Sequence, residues 1–329
     1  MNYPQFKVTV SCMTYNQSKY ITDAMNGFTM QQTSFPFVCT IVDDASTDGE
    51  QEVIRKYVED HFDFSEGSVA YHKETDYAHI TYAQHKTNKN CYFAVLYLKE
   101  NHYSQHKDKS PYLKEWREGV DYMALCEGDD YWIDSLKLKK QVDFLDVNFD
   151  YSMCFHNAEI YNLCNSKLKF KIVENRDYSL KELYDDWIVP TASVIYRKGC
   201  ESGVIKGDDR IINGDINLIM ALSSNGRVRG MQESMSVYRL HNNGLTMSRS
   251  IEDNEMLQRK YIKHYKCLQE HYSQIPKNSF NRKMADVYIN LGIELCKKYK
   301  ISLFYYLLLA LAYSPFRFME RIGNLFNQK

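Results

Sequence analysis

The sequence predicts an α/β fold with a mainly parallel central sheet flanked by helices, followed by a C-terminal helical extension. Short, β-branched apolar runs alternate with segments of helical periodicity over residues 6–146, and this alternation is typical of parallel strands joined by right-handed crossovers. Two of the runs end abruptly in acidic residues, at 43–44 and at 127–130. Because an unpaired buried carboxylate is costly, we expect both endings to face a polar ligand at the carboxyl edge of the sheet.

The first part of the chain has a β-α-β-α order. Its predicted elements are a strand at 6–13, a helix at 19–30 with Ser18 as N-cap, a strand at 37–42 and a helix near 50–59.

The segment 64–118 is polar and rich in His and Lys, apart from an apolar run at 92–98 that predicts a helix. Later apolar runs predict strands at 122–126, 151–161, 191–196, 228–231 and 236–240, with helices over 136–145 and 212–223.

The pattern divides the chain into an α/β domain over 1–248 and a helical extension over 249–329. In the extension, the apolar residues Met284, Tyr288, Leu291 and Leu295 recur at helical spacing. The run 301–313 carries no charge but is shorter than the roughly 18 to 20 apolar residues of a spanning helix. Three alternatives remain for it: burial against the main domain, peripheral membrane contact through 301–322, and a homo-oligomer contact.

Composition narrows the class of protein. The 329 residues are 44% hydrophobic and 25% charged with a net charge of −1, so no overall basicity indicates nucleic-acid binding. The nine Cys are scattered, without a Cys-x-x-Cys pair, and several lie in apolar runs, which is typical of a reducing compartment. The N-terminus has neither the basic nor the apolar region of a signal peptide, so we expect a cytoplasmic location.

The acidic endings supply more carboxylate than helix capping requires, although Asp48 alone could be a cap. Hard divalent cations such as Mg²⁺ and Mn²⁺ bind one or two protein carboxylates together with substrate phosphates. The acidic endings therefore predict a metal on a diphosphate, with the first acidic pair left to hold the polar edge of a base or ribose.

Three segments, 8–16, 41–49 and 125–132, resemble in order and separation those of the family 2 glycosyltransferases. These are inverting enzymes of the GT-A fold that use nucleotide sugars. The resemblance is strong over 6–146, looser to about 248, and absent from the helical tail. Glu127 stands where the family often has Asp.

The resemblance implies roles for particular residues. Asp43 or Asp44 would bind the base and ribose, and Asp130 would be the main metal ligand, with His241 completing the metal shell. The implied nucleotide-binding residues are Thr14, Tyr15, Asn16, Asp43, Asp44, Glu127, Asp129 and Arg239, the last through phosphate.

Inversion also needs a carboxylate base that takes the proton of the acceptor hydroxyl. The resemblance places this base at the start of a later helix. Asp215 fits that position, Asp208 and Asp209 are its rivals, and helix capping is the structural alternative. Trp132, Trp187 and Thr191 would border the acceptor, unless the two Trp rings are core residues.

The implied activity is transfer of a sugar, from UDP in most relatives, to a glycan or lipid-linked acceptor in bacterial surface polysaccharide or lipopolysaccharide assembly. A sugar nucleotidyltransferase would open with a glycine-rich loop after the first strand. This chain has no glycine before Gly27. A non-catalytic nucleotide- or sugar-binding protein would not need three acidic groups and a base.

Overall fold

In the computed structural model of the chain, the apolar runs become strands of one mixed sheet. The structure describes residues 4–164, 169–186, 188–242, 254–297 and 303–327. Within these residues the sheet has ten strands in the order β3-β4-β5-β2-β1-β6-β9-β8-β10-β7. The strands are β1 Val8–Thr14, β2 Phe37–Asp43, β3 Tyr71–Glu74, β4 Ala78–Gln84, β5 Cys91–Leu98, β6 Tyr122–Leu125, β7 Tyr131–Trp132, β8 Tyr151–Asn162, β9 Ile195–Arg197 and β10 Arg227–Leu240.

The centre of the sheet is parallel, as the sequence predicts. Strands β5, β2, β1 and β6 run in the same direction, and so do β8 and β10. The other neighbouring pairs are antiparallel. Every residue of β2 and of β5 is buried, because helices cover both faces of a parallel sheet.

Four helices lie in the same part of the chain: α1 Ile21–Thr29, α2 Glu50–His61, α3 Lys114–Arg117 and α4 Lys137–Val147. The prediction of Ser18 as N-cap is wrong. Tyr20 occupies the cap position and no side chain caps the helix. The backbone N–H of Ser18 instead donates to Asp48 Oδ2 at 3.0 Å, which ties the turn after β1 to the turn after β2.

The prediction of a helix at 92–98 is also wrong, because this segment is β5. A strand buried on both faces is apolar at every position, so its sequence has no period that separates it from a buried helix. The segment 191–196 is only partly a strand, since a single turn at Thr191–Ser193 precedes β9. The strands predicted at 228–231 and 236–240 form one strand, β10, with bulges between Met231 and Ser236.

The chain divides into two compact units that interleave along the sequence. The first contains Met1–Asp177, Ile188–Cys200 and Gly226–Leu240, and so holds the whole sheet. The second contains Tyr178–Trp187, Glu201–Asn225 and His241–Lys329. Three segments that the sequence assigns to the α/β domain, 178–187, 201–225 and 241–248, thus cluster with the C-terminal helices.

The second unit is helical in its described residues. Its helices are α5 Leu180–Asp185, α6 Gly214–Asn225, α7 Asn254–His271, α8 Lys277–Lys297, α9 Leu303–Tyr313 and α10 Pro315–Asn327. The predicted apolar stripe on α8 is confirmed, since all four of its residues are buried. Helix α9 packs on α8 through Ala310, whereas Phe304 and Leu308 are exposed. None of the described helices combines the length and apolar character that crossing a membrane requires.

Candidate active site

The two acidic endings lie on either side of β1. Thr14, the last residue of β1, is in register with Asp43 of β2. On the other side, the backbone N–H of Gly128 donates to the Met13 carbonyl at 3.1 Å. A Cβ at Gly128 would overlap the Thr14 hydroxyl and lie 2.5 Å from Gln17 Oε1. The acidic loop, residues 127–130, therefore lies directly against the end of β1.

Asp44 is satisfied by protein groups. Its Oδ1 accepts from the backbone N–H of His102 at 2.8 Å, and its Oδ2 accepts from that of Tyr103 at 3.0 Å. The Lys109 ammonium is 2.9 Å from Oδ2, and both side chains of this ion pair are largely buried. Asp44 thus holds the loop after β5 over the end of β2.

Asp43 is satisfied only in part. Its Oδ1 accepts from the Ser46 backbone N–H at 3.1 Å and from Gln51 Nε2 at 2.6 Å. Its Oδ2 is buried and has no hydrogen-bond partner among the described residues. Burial raises the pKa of Asp43, and the bonds from Ser46 and Gln51 oppose that rise. Since buried polar atoms are nearly always hydrogen-bonded, Oδ2 is suited to accept from a bound ligand.

Glu50, which sequence reasoning missed, joins the turns after β1 and β2. It is fully buried at the start of α2 and accepts from the Thr14 hydroxyl, the Gln17 backbone N–H at 2.9 Å and the Ser46 hydroxyl at 2.8 Å. Burial raises the pKa of Glu50 despite these bonds. In the sequence, an acidic residue at a helix N-terminus indicates only a favourable helix dipole.

Tyr15 and Asn16 follow β1 directly. The Tyr15 side chain is 46% exposed. Asn16 has a φ of 55°, a left-handed conformation that Asn tolerates, and its Oδ1 accepts from the Thr47 backbone N–H at 2.8 Å. Asn16 therefore shapes the edge of the site, while the Tyr15 ring is available at its surface.

Asp130 is the least satisfied carboxylate of the acidic loop. Its Oδ1 accepts from the backbone N–H of Arg239 at 2.8 Å, while its Oδ2 is buried and receives no hydrogen bond from the part of the chain that the structure describes. Burial, followed by the charges of Asp129 and Glu127, holds the pKa of Asp130 well above its usual range. A divalent cation would relieve both causes, so the residue fits a metal ligand.

The negative charge around the loop also reaches the strand beside it. Burial raises the pKa of the Cys12 thiol, and the charges of Glu50, Glu127 and Asp129 raise it further. Within the described part of the chain, no group of three or more His, Cys, Asp and Glu side chains is arranged to hold a metal ion. A cation at this edge would therefore need oxygens of a bound ligand in addition to Asp130, as is common for Mg²⁺.

Arg239, the penultimate residue of β10, lies beside the acidic loop. Its side chain is 4% exposed and its guanidinium bonds the Asp129 carbonyl and the Asp23 carboxylate. His241 follows β10, is buried and belongs to the second unit.

The residues predicted on the acceptor side differ in their surroundings. Trp132 is buried, donates from Nε1 to the Ala192 carbonyl at 2.9 Å, and has the Lys137 ammonium 4.1 Å from its ring centre. It is a core residue, the alternative that the sequence left open. Thr191 is half-buried at the start of its turn. Trp187 lies outside the described residues.

The candidates for the catalytic base, Asp215 and Asp208, both lie in the second unit. Asp215 is exposed in the first turn of α6, and its Oδ1 accepts from the Ile216 backbone N–H at 2.8 Å. Asp208 is bound at both oxygens by the Arg210 guanidinium, which holds the pKa of Asp208 well below its usual range. A carboxylate held ionised in this way is a weaker base, so the geometry favours Asp215 over Asp208.

A cleft of about 390 Å³ opens where β2 and β5 end. Gln51, which donates to Asp43, lines it, and so does Arg55, whose guanidinium is 4.2 Å from the Tyr97 ring centre. Ala45 at its rim has a φ of 61°, a strained value for a residue other than glycine. Nothing in the sequence marks these residues, because they are single side chains on separate elements.

No family model matches the chain. Two mycobacterial relatives are "Uncharacterized protein Rv1520" of Mycobacterium tuberculosis and "Uncharacterized protein Mb1547" of Mycobacterium bovis. Each is 30% identical over 240 residues, which is 72% of this chain. The chain spans 60% of the length of these relatives.

Solved structures show the same architecture. S. aureus TarS 1-349 in complex with UDP-GlcNAc has a TM-score of 0.54 and 16% identity, over 97% of this chain and 92% of that one. The mannosyltransferase PcManGT from Pyrobaculum calidifontis, in complex with GDP-Man and Mn²⁺, has a TM-score of 0.51 and 12% identity, over 98% and 79%. The chain therefore has the mixed α/β, GT-A-like fold of these glycosyltransferases.

Proposed function

We propose that the chain is an inverting glycosyltransferase of the family 2 type. It would transfer a hexose from a nucleoside diphosphate, UDP in the first instance, to a hydroxyl of a glycan or lipid-linked acceptor. One observation carries the proposal: on either side of β1, Asp43 Oδ2 and Asp130 Oδ2 are buried without a hydrogen bond from any described residue. A nucleotide donor and a divalent cation would supply what each oxygen lacks. The nucleotide sugars bound to the similar structures support this choice.

At the donor, Asp43 is the carboxylate that we assign to the nucleoside. Its free oxygen can accept from a base N–H or a ribose hydroxyl, whereas both oxygens of Asp44 already accept from protein. Asp44 would then shape the nucleotide pocket from behind. Thr14, Tyr15 and Asn16 would border the pocket at the end of β1.

The acidic loop would face the diphosphate. Asp130 is the protein ligand that we assign to Mn²⁺ or Mg²⁺, with His241 as a second ligand and with Glu127 and Asp129 near the ribose and phosphates. When bound, such a cation neutralises charge on the leaving nucleoside diphosphate. The chain's own contribution is to keep Asp130 Oδ2 buried and unbonded, ready to coordinate.

We assign the proton-accepting role to Asp215. Its carboxylate is exposed at a helix start, whereas that of Asp208 is held by the Arg210 guanidinium. It would take the proton of the acceptor hydroxyl as that oxygen attacks the anomeric carbon and the nucleoside diphosphate departs. Thr191 and Trp187 would border the acceptor.

The setting that we propose is bacterial surface polysaccharide assembly at the cytoplasmic face of the membrane. The exposed side chains of Phe304 and Leu308 on α9, and of Phe316 and Met319 on α10, suit a peripheral membrane or subunit contact through 301–322. Arg317 on α10 is paired with Asp286 of α8.

Thermal unfolding with UDP, with Mn²⁺ and with both tests the proposal, with GDP in parallel. The pair should raise the unfolding midpoint more than either component alone, because ligands that bind only the folded state stabilise it. Asp215→Asn should keep this response and lose sugar transfer, measured with a panel of nucleotide-sugar donors. No response to either nucleoside diphosphate with metal would overturn the proposal, and full turnover by Asp215→Asn would overturn the base assignment.

A further inference from the structure

We infer that Arg239 is a positioning residue that ties the acidic loop 127–130 to the start of α1, and that it acts on the donor site through that loop. The inference rests on the proposed function, and it replaces the direct phosphate contact that the sequence resemblance implies for Arg239.

The guanidinium of Arg239 donates hydrogen bonds to two different elements. Nη1 donates to the Asp129 carbonyl at 2.5 Å, and Nη2 donates to Asp23 Oδ2 at 2.6 Å. Asp23 lies in the first turn of α1. The two ends of the planar fork thus hold two different elements together, because each donates to a protein oxygen on a separate element.

Two tyrosine rings lie close to the Arg239 guanidinium. Its central carbon lies 4.8 Å from the ring centre of Tyr20 and 4.6 Å from that of Tyr131. Tyr20 immediately precedes α1, and Tyr131 follows the acidic loop. The rings therefore reinforce the same connection between α1 and the loop, and they contribute cation–π attraction to it.

The backbone of Arg239 also contacts the acidic loop. Its N–H donates to Asp130 Oδ1, so one oxygen of this carboxylate is fixed and the buried Oδ2 is left unbonded. Strand β10 pairs with β7 just before this point, since Val237 is opposite Tyr131. Side chain and backbone of one residue thus set the positions of both Asp129 and Asp130.

A positioning role predicts a specific pattern of losses. If the loop shifts, the coordination of a cation by Asp130 suffers, whereas contacts of the nucleoside with the β1 and β2 ends persist. A direct phosphate contact predicts the reverse, because the nucleotide would bind less tightly even without metal. Asp23 separates the two roles further, since only the positioning role involves it.

Three variants of the full chain test the inference. Arg239→Lys keeps the charge but removes the fork, Asp23→Ala removes the anchor on α1, and the double variant tests whether the two act together. Arg229→Lys is the matched control, because Arg229 is on the same strand but paired with Asp177. Glu52→Ala controls for loss of an exposed acidic residue in a first helical turn.

The readouts are UDP affinity without metal by calorimetry, the Mn²⁺ concentration that half-saturates the UDP response, and hydrogen exchange of amides 127–132. Arg239→Lys and Asp23→Ala should each raise the Mn²⁺ requirement, by about tenfold and about threefold, with metal-free UDP affinity within about twofold of wild type. Exchange at 127–132 should quicken in both, and the double variant should be no worse than Arg239→Lys. Neither control should change any readout.

A loss of metal-free UDP affinity in Arg239→Lys with no effect of Asp23→Ala would overturn the inference in favour of direct phosphate contact. Unchanged exchange at 127–132 in both variants would also overturn it. If the wild-type chain binds no nucleoside diphosphate, the proposed function fails instead, and the exchange measurement still decides the connection because it needs no ligand.

Discussion

The two acidic strand endings look alike in sequence, yet the structure treats them differently. At the end of β2, Asp44 accepts two backbone hydrogen bonds and an ion pair from Lys109. After β6, Asp130 is equally buried but has one oxygen without a partner, and its pKa is raised well above the usual range by burial and by its acidic neighbours. Asp44 is thus satisfied by protein groups, whereas Asp130, among the described residues, keeps one buried oxygen unbonded. The hydrogen-bond partners of a buried carboxylate thus indicate whether it stabilises the fold or is available to bind a ligand.

The largest effect that sharpens this comparison is expected for Asp44→Asn. The change leaves the Lys109 ammonium without its counter-charge in a mostly buried position, so the free energy of unfolding should fall by about 3 kcal/mol. Urea unfolding measures this. Asp121→Asn is the control, because its ion pair with Lys7 is exposed and should contribute less than about 1 kcal/mol. Equal effects of the two changes would mean that Asp44 is not scaffold.

Gly128→Ala should break the contact between the two endings. The added methyl group would overlap the Thr14 hydroxyl at the end of β1, and overpacking of this kind costs about 2 kcal/mol. Gly214→Ala at the start of α6 is the control, since no atom lies within 4 Å of a Cβ there. Chemical denaturation of both variants measures the change in the free energy of unfolding. Wild-type stability of Gly128→Ala would show that the loop is not packed against β1.

In the metal-free chain, Asp130→Asn should not lower the free energy of unfolding as Asp44→Asn does. The change removes a buried carboxylate whose charge is disfavoured by burial and by Asp129, and Oδ1 can still accept from Arg239, so stability should equal that of wild type or exceed it by up to about 1 kcal/mol. Urea unfolding in a chelator measures this difference. A loss of more than about 1 kcal/mol would mean that the charge of Asp130 is satisfied within the protein.

The smallest effect concerns pH at Asp43. Burial raises the pKa of Asp43 in the folded state, so its contribution to stability is present at low pH and is lost as pH rises from its unfolded value through its folded value. The stability of Asp43→Asn should therefore increase relative to that of wild type as the pH rises above the unfolded-state pKa of Asp43. Asp63→Asn should change in the opposite direction, because Ser65 lowers the pKa of Asp63. A pH-independent difference at Asp43 would contradict the assignment of its free oxygen.

The parts of the fold that could be predicted are those with a distinctive local pattern. The strands that end at Asp43 and at Leu125 are short apolar runs stopped by acid, and the stripe on α8 has a clear helical period. Periodicity could not identify β5 as a strand, because a run that is apolar at every position has no period. Its eight residues and its β-branched and aromatic content were the available signals.

The site was predictable in composition but not in its division of roles. Lys109 is 65 residues from Asp44 and lies in a polar segment, so no local signal identifies it as the partner. Glu50 is likewise indistinguishable from an ordinary first-turn acid until Thr14 is seen to donate to it. Roles that depend on long-range partners require the three-dimensional arrangement.

The most direct test of the central claim is the response of Asp130→Asn to Mn²⁺ and UDP, measured as the shift of the thermal unfolding midpoint beside wild type and Asp121→Asn. We expect wild type and Asp121→Asn to be stabilised by the pair beyond either component, and Asp130→Asn to show only the response to UDP alone. If Asp130→Asn gained as much from the pair as wild type, the oxygen left unbonded after β6 would not be the place where a cation binds.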